Sequence, residues 1–258
     1  MATRPKIAFF EFTSCEGCQL TVVDSLQTYP ELLEAVEIVR FREAMSEKGD
    51  DYQVVFIEGS CSRLADEEQL KTIRQRAGLV IELGACAHLS GVNAIRNRQD
   101  LAEVRRYVYG DHADWFDSYP ARPIHAVIPV DATIPGCPID RHEFIRIVTA
   151  VLQGRSPEIP DYPVCVECKL KENVCVYQRG QTCLGPVVRA GCDAICPTYG
   201  EGCEGCRGLI PAPNVESLLQ VLAEYGLRPD QVQAKMTEFL TYSMMERMES
   251  EATSNGKR

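Results

Sequence analysis

The sequence is short of positive charge, and it has no long apolar run. Across 258 residues, 27 Lys and Arg stand against 37 Asp and Glu, a formal charge of −10 at pH 7. That excludes the basic face of a nucleic-acid binder and the polybasic patch of a membrane anchor. No stretch reaches the ~18 consecutive apolar residues of a membrane span. The start, Met1-Ala-Thr-Arg-Pro-Lys-Ile-Ala-Phe-Phe-Glu, carries no apolar signal core, no twin arginine and no small-residue cleavage site. A cytoplasmic location is therefore the expectation. No Gly-x-Gly-x-x-Gly follows the first apolar run, so no dinucleotide site is expected in this chain. An apolar fraction of 45% excludes a disordered chain, and the length suits one or two domains.

What is abundant is cysteine. There are 13, five before residue 160 and eight between Cys165 and Cys206. An odd count in a chain this long does not describe a secreted disulfide framework. In a reducing compartment, clustered thiols read as metal ligands or redox groups. Three pairs have Cys-x-x-Cys spacing, Cys15/Cys18, Cys165/Cys168 and Cys203/Cys206, and each can place two thiolates on one centre. Twelve thiols would make three four-ligand sites and leave Cys61, which reads as a small buried residue after a strand.

Short apolar runs alternate with helical stretches. Strands are expected at 6–12, 36–41, 53–57, 78–83 and 126–130. Helices are expected at 19–27, 31–35, 66–76 (with Asp66 as its cap), 141–152, 214–225 and 229–248, and the last ten residues read as frayed. Such alternation predicts an α/β fold with an open, mostly parallel sheet wrapped by helices. Cys15 and Cys18 follow the first strand, Cys86 the fourth and Cys137 the fifth. Ligands of such sheets sit beyond the carboxyl ends of the strands, so three distant loops can converge there. A Pro-rich crossing at 154–163 precedes a Cys-, Gly- and Pro-dense segment with little periodicity. That segment needs something besides an apolar core to organise it.

Four thiolates hold either zinc or an iron–sulfur cluster, and spacing alone does not choose. Three centres in one small chain suit electron transfer better than a triple zinc site, because zinc has no accessible redox change. A structural zinc-binding interaction module is the alternative from another class.

Thr13-Ser-Cys-Glu-Gly-Cys18, Glu58-Gly-Ser60, Gly84-Ala-Cys-Ala87 and Pro135-Gly-Cys-Pro138 together resemble the small subunit of [NiFe] hydrogenases. The stretches from Asp161-Tyr-Pro-Val-Cys-Val-Glu-Cys168 through Cys183-Leu-Gly-Pro to Cys203-Glu-Gly-Cys-Arg207 strengthen the resemblance. The likeness is greatest to the delta subunits of cytoplasmic NAD(P)-linked sulfhydrogenases. It implies a flavodoxin-like sheet domain over 1–155, then an irregular iron–sulfur domain with C-terminal helices over 156–258. It also implies a proximal [4Fe–4S] cluster on Cys15, Cys18, Cys86 and Cys137. A distal [4Fe–4S] cluster falls to Cys165, Cys168, Cys175 and Cys183, and a medial [4Fe–4S] cluster to Cys192, Cys196, Cys203 and Cys206. An interleaved, ferredoxin-like grouping of these eight is the alternative. Two features depart from the standard enzymes. Cys165 stands where they use a His, and Cys196 adds a fourth ligand where they hold a three-iron centre.

By the same resemblance this chain is an electron-transfer subunit and holds no nickel, flavin or NAD(P). Its expected partners are a [NiFe] large subunit and iron–sulfur and flavin-containing NAD(P) reductase subunits. A viologen-reducing enzyme feeding a heterodisulfide reductase is a second reading. Complex I-type subunits fit less well, since they have adjacent cysteines in the first motif and no eight-Cys tail. Glu16 reads as a solvated or interface carboxylate, with cluster tuning or proton relay as the alternative. His88 reads as a surface residue or a donor to a cluster sulfur, and His112, His125 and His142 as structural.

Overall fold

In the computed structural model, which describes residues 4–255, the chain divides at Glu158 and Ile159 into two units. The first unit contains β1 (Lys6–Glu11), α1 (Gly17–Thr28), α2 (Leu32–Ala35), β2 (Glu37–Arg40), β3 (Val54–Glu58) and α3 (Leu64–Arg76). It continues through β4 (Leu79–Leu83), α4 (Gly84–Leu89), α5 (Leu101–Tyr109), β5 (Ala132–Ile134) and α6 (Arg141–Leu152). All four pairings are parallel, in the order β2-β1-β3-β4-β5. This is the expected α/β class.

A parallel sheet must be covered on both faces, which is why its strands read as continuous apolar runs. Alternate residues supply the two cores. Phe9 and Phe56 stack at 5.0 Å on one face, Phe9 meets Phe41 at 4.3 Å, and Phe56 meets Phe144 of α6 at 5.7 Å. On the other face Ala8, Phe10, Val55, Ile57 and Val80 pack with Leu70 and Ile73 of α3 and with Ile124 and Ile128.

The fifth strand is not where the apolar run predicts it. Residues 124–126 form a 3-10 turn, and the strand starts later, at Ala132. Pro129 interrupts the run and has no N–H for the ladder. Ile128 instead inserts into the core without pairing, at 4% exposure. Pairing resumes where the Asp131 N–H donates to the Val80 carbonyl at 2.9 Å and the Asp131 carboxylate accepts the Val80 N–H at 2.8 Å.

Asp66 also differs from expectation. It lies in the first turn of α3 rather than at its cap, accepting the Ser62 N–H at 3.1 Å and pairing with Arg63 at 2.8 Å.

The second unit contains α7 (Val164–Leu170), α8 (Ile195–Thr198), α9 (Val215–Glu224), α10 (Pro229–Phe239) and α11 (Thr241–Asn255). Asn214 caps α9 through the Ser217 N–H at 2.9 Å. The single C-terminal helix expected at 229–248 is two helices that break at Leu240, and the second runs on to Asn255. Residues 256–258, part of the stretch read as frayed, lie outside the described residues. The thiol-rich segment does own some apolar core. Val164, Val176, Leu184, Val187 and Val188 are each at most 2% exposed.

Phe56→Ala is expected to destabilise the first unit by about 3–5 kcal/mol, because it empties the centre of the aromatic stack. Tyr107→Ala, at a site 92% exposed, should change stability by no more than about 0.5 kcal/mol. Urea unfolding of both variants checks the contrast.

Candidate metal centres

The sheet register decides where the first four thiols go. Glu11 is level with Glu58, Glu58 with Leu83, and Leu83 with Ile134. The segments leaving β1, β4 and β5 therefore start side by side at the carboxyl end of the sheet. Cys15 lies in the loop after β1, Cys18 in the first turn of α1, Cys86 in α4 directly after β4, and Cys137 in the loop after β5. The Ala85 N–H donates to the Gly136 carbonyl at 2.7 Å, which ties the last two segments together. Gly84 has φ +85°, and a Cβ there would lie 2.3 Å from Cys18 Sγ. The thiol occupies space that only glycine leaves open.

Cys137 and Cys86 act electrostatically on Cys18, and Cys137 and Cys15 act on Cys86. Burial, then Glu58, then Cys137 and Cys86 raise the Cys18 pKa, partly opposed by a backbone N–H at Ile139. Burial, then Cys137 and Cys15, push Cys86 up to about 12. Ionised sulfurs placed this close repel one another unless a cation lies between them.

Glu58, 1% exposed, organises this end of the sheet. Its carboxylate accepts the Cys18 N–H at 3.1 Å and the Gln19 N–H at 2.9 Å, and so serves the open N-terminal amides of α1. Burial raises its own pKa. The Gln19 carboxamide beside it is buried with neither its nitrogen nor its oxygen bonded. Gly59 turns the chain with φ +95°, where a Cβ would sit 2.7 Å from the Phe12 carbonyl carbon. Glu16 forms an ion pair with Arg42, which also reaches Glu11 at 3.2 Å. Cys61 stands apart from the group. It is fully buried, and its Sγ lies 3.0 Å from the Tyr119 hydroxyl.

In the second unit α7 carries Cys165 and Cys168, α8 carries Cys196, and loops carry the other five. A Cβ on Gly185 would be 3.3 Å from both Cys165 Sγ and Cys183 Sγ, so these sulfurs face one cradle. Burial, then Cys183, Cys168 and Cys175, push Cys165 up to about 12. Cys203 is raised by burial, then by Cys183, Cys206 and Cys192. Cys196 is raised by burial, then by Cys192, with Glu204 and Cys183 adding to it. Cys183 borders both sets, and its Sγ accepts N–H bonds from Cys203 at 3.1 Å and Gly185 at 3.4 Å.

Two charged side chains brace the Cys192 loop. Glu167 of α7 accepts the N–H groups of Gly191 at 2.8 Å and Ala194 at 3.2 Å. Arg207, 1% exposed, donates through Nε to the Ala190 carbonyl at 2.7 Å. Burial raises the Cys192 pKa, and the Arg207 charge works against that.

The donor chemistry fits iron–sulfur clusters: all-sulfur sets, glycine cradles, and backbone N–H groups aimed at sulfur. A single tetrahedral zinc would hold its thiolates about 3.8 Å apart. Among the described residues, the one trio of His, Cys, Asp or Glu ligand atoms within 4.8 Å of one another is Glu82, His88 and His125. No trio of thiols has that spacing. His88, read from the sequence as a surface residue or a donor to a cluster sulfur, and His125, read as structural, meet at one carboxylate. Both turn Nδ1 to Glu82, at 3.2 Å for His88 and 2.8 Å for His125.

Residues 15–151 match the family described as NADH ubiquinone oxidoreductase, 20 Kd subunit. The chain is 38% identical over 237 residues to sulfhydrogenase 2 subunit delta of Pyrococcus furiosus, covering 91% of this chain and 98% of that protein. The chain belongs to the [NiFe] hydrogenase small-subunit family. A subunit of the F420-non-reducing vhu hydrogenase of Methanocaldococcus jannaschii is 31% identical, covering 88% of this chain and 92% of the relative. A chain of an NAD+-reducing [NiFe]-hydrogenase in the H2-reduced state superposes with a TM-score of 0.54 at 25% identity. That match covers 61% of this chain and 96% of the other. Thirteen cysteines in a hydrogenase small subunit are consistent with iron–sulfur binding. Among the described residues, no helix is long and apolar enough to cross a membrane.

Gly84→Ala should drive a methyl group into Cys18 and lower the iron bound per chain below wild type. Iron analysis of the anaerobically purified variant checks this; wild-type iron content would contradict it.

Proposed function

We propose that the chain is the electron-transfer small subunit of a cytoplasmic [NiFe] hydrogenase and carries three [4Fe–4S] clusters. Cys15, Cys18, Cys86 and Cys137 hold the proximal cluster. Cys192, Cys196, Cys203 and Cys206 hold the medial one, and Cys165, Cys168, Cys175 and Cys183 the distal one. The observation that carries this reading is that the segments following β1, β4 and β5 bring four thiols to one end of the sheet, in a member of the hydrogenase small-subunit family. The sequential grouping of the last eight is supported by the thiols that press on Cys165, which are Cys183, Cys168 and Cys175. The thiol spacing speaks against single zinc ions.

When bound, the clusters supply one-electron chemistry, at potentials set by ligand type, hydrogen bonding and burial. The protein's part is holding and tuning. Glu58 fixes the amides around Cys18, and the N–H groups of Cys203 and Gly185 favour negative charge on Cys183. The guanidinium of Arg207 does the same near Cys192.

The nickel–iron site is assigned to a large subunit, and NAD(P) chemistry to iron–sulfur and flavin subunits. The NAD(P) assignment is supported by the NAD+-reducing enzyme among the structural relatives. The large subunit is assigned to a cleft of 770 Å³ lined by Thr13, Glu16, Arg96, Arg105 and Trp115. Trp115 is 75% exposed, and neither Arg96 nor Arg105 has a carboxylate partner among the described residues. An exposed tryptophan beside half-buried arginines matches the composition of an interface core.

In the assembled enzyme, Cys168→Ala should leave hydrogen–deuterium exchange near wild type while H2-dependent NAD(P)+ reduction falls at least about tenfold. Unchanged NAD(P)+ reduction would refute the assigned route.

A further inference from the structure

Three side chains outside the cysteine groups meet at one point. Glu82 lies on β4 and is 1% exposed, His88 lies on α4, and His125 lies on the 3-10 turn at 124–126. One carboxylate oxygen accepts the His125 backbone N–H at 2.9 Å and lies 2.8 Å from His125 Nδ1. The other accepts the Thr133 hydroxyl at 2.8 Å and lies 3.2 Å from His88 Nδ1.

The chemistry of this trio is that of a cation site. Burial would raise the Glu82 pKa, but the bonds and charges of His125 and His88 outweigh it and hold Glu82 at about 2. The carboxylate is thus an ionised group in a place water does not reach. No Lys or Arg pairs with it among the described residues. Among the described residues its charge is balanced by the two imidazoles themselves, or by a cation that the imidazoles and the carboxylate share. Imidazole nitrogen is the commonest biological metal ligand. Two imidazoles and one carboxylate make a donor set that divalent first-row ions take, with a position left for water. The site also has a way in, because the His88 side chain is 25% exposed and that of His125 is 41% exposed.

We propose that Glu82, His88 and His125 bind one divalent transition-metal ion of the Zn2+ type. The ion would clip the β4–α4 turn, which carries Cys86, to the 124–126 turn. It would replace the hydrogen bonds that now join the two imidazoles to the carboxylate, while Thr133 and the His125 amide keep theirs. The site does not depend on what fills the cysteine groups, and iron is counted separately in the same sample.

The test uses the full-length chain, purified anaerobically with its iron, dialysed with Zn2+ and then against metal-free buffer. Metal analysis gives zinc and iron together, and calorimetric titration with Zn2+ gives affinity. Wild type is expected to retain one zinc per chain. His125→Ala should bind Zn2+ at least about tenfold more weakly, with iron and the visible spectrum unchanged. His125→Cys, which restores a zinc ligand, should recover retention. A wild-type chain that retains no zinc overturns the proposal, and so does a His125→Ala chain that binds Zn2+ as tightly as wild type.

Discussion

Sulfurs brought together under cover cannot all be ionised unless positive charge lies between them. That constraint runs through both halves of this protein. In the first unit, a common strand register delivers Cys15, Cys18, Cys86 and Cys137 to one end of the sheet. In the second, eight thiols share about forty residues, a span short enough that each ligand set must be built from loops and single helical turns. Burial and neighbouring sulfurs raise the pKa values of Cys18, Cys86, Cys165, Cys183, Cys196 and Cys203. On the proposed reading, bound iron would reverse that balance and couple ligation to the folding of these segments.

The scaffold around the first group has been shaped for it at the backbone. Gly84 yields its Cβ position to Cys18, and the Glu58 carboxylate fastens the amides of Cys18 and Gln19 to the middle strand of the sheet. A strand, a helix start and a thiol are thereby locked into a single local geometry. The Gln19 carboxamide is buried with no hydrogen-bond partner among the described residues. It lies next in sequence to Cys18.

Much of this was legible from the residues. The parallel sheet follows from apolar runs alternating with helical stretches, and the convergence of three loops follows from where the cysteines stand relative to those runs. The errors have local causes. Pro129 turned an apolar run from strand into turn, and Ile128 was core without being ladder. Leu240 ends one helix inside an unbroken run of helix-forming residues. The Glu82 trio was beyond reach for a different reason. Its members are separated by up to 43 positions, and His125 depends on a turn that pattern alone reads as strand. Contacts of that kind come from tertiary packing, which no window of sequence holds.

The most direct test is anomalous scattering at the iron and zinc edges from anaerobically grown crystals of the full chain. Three separate iron centres are expected. One should lie among Cys15, Cys18, Cys86 and Cys137, one among Cys165, Cys168, Cys175 and Cys183, and one among Cys192, Cys196, Cys203 and Cys206. Zinc at the thiols in place of iron, or iron bridging the last two groups in an interleaved pattern, would contradict it.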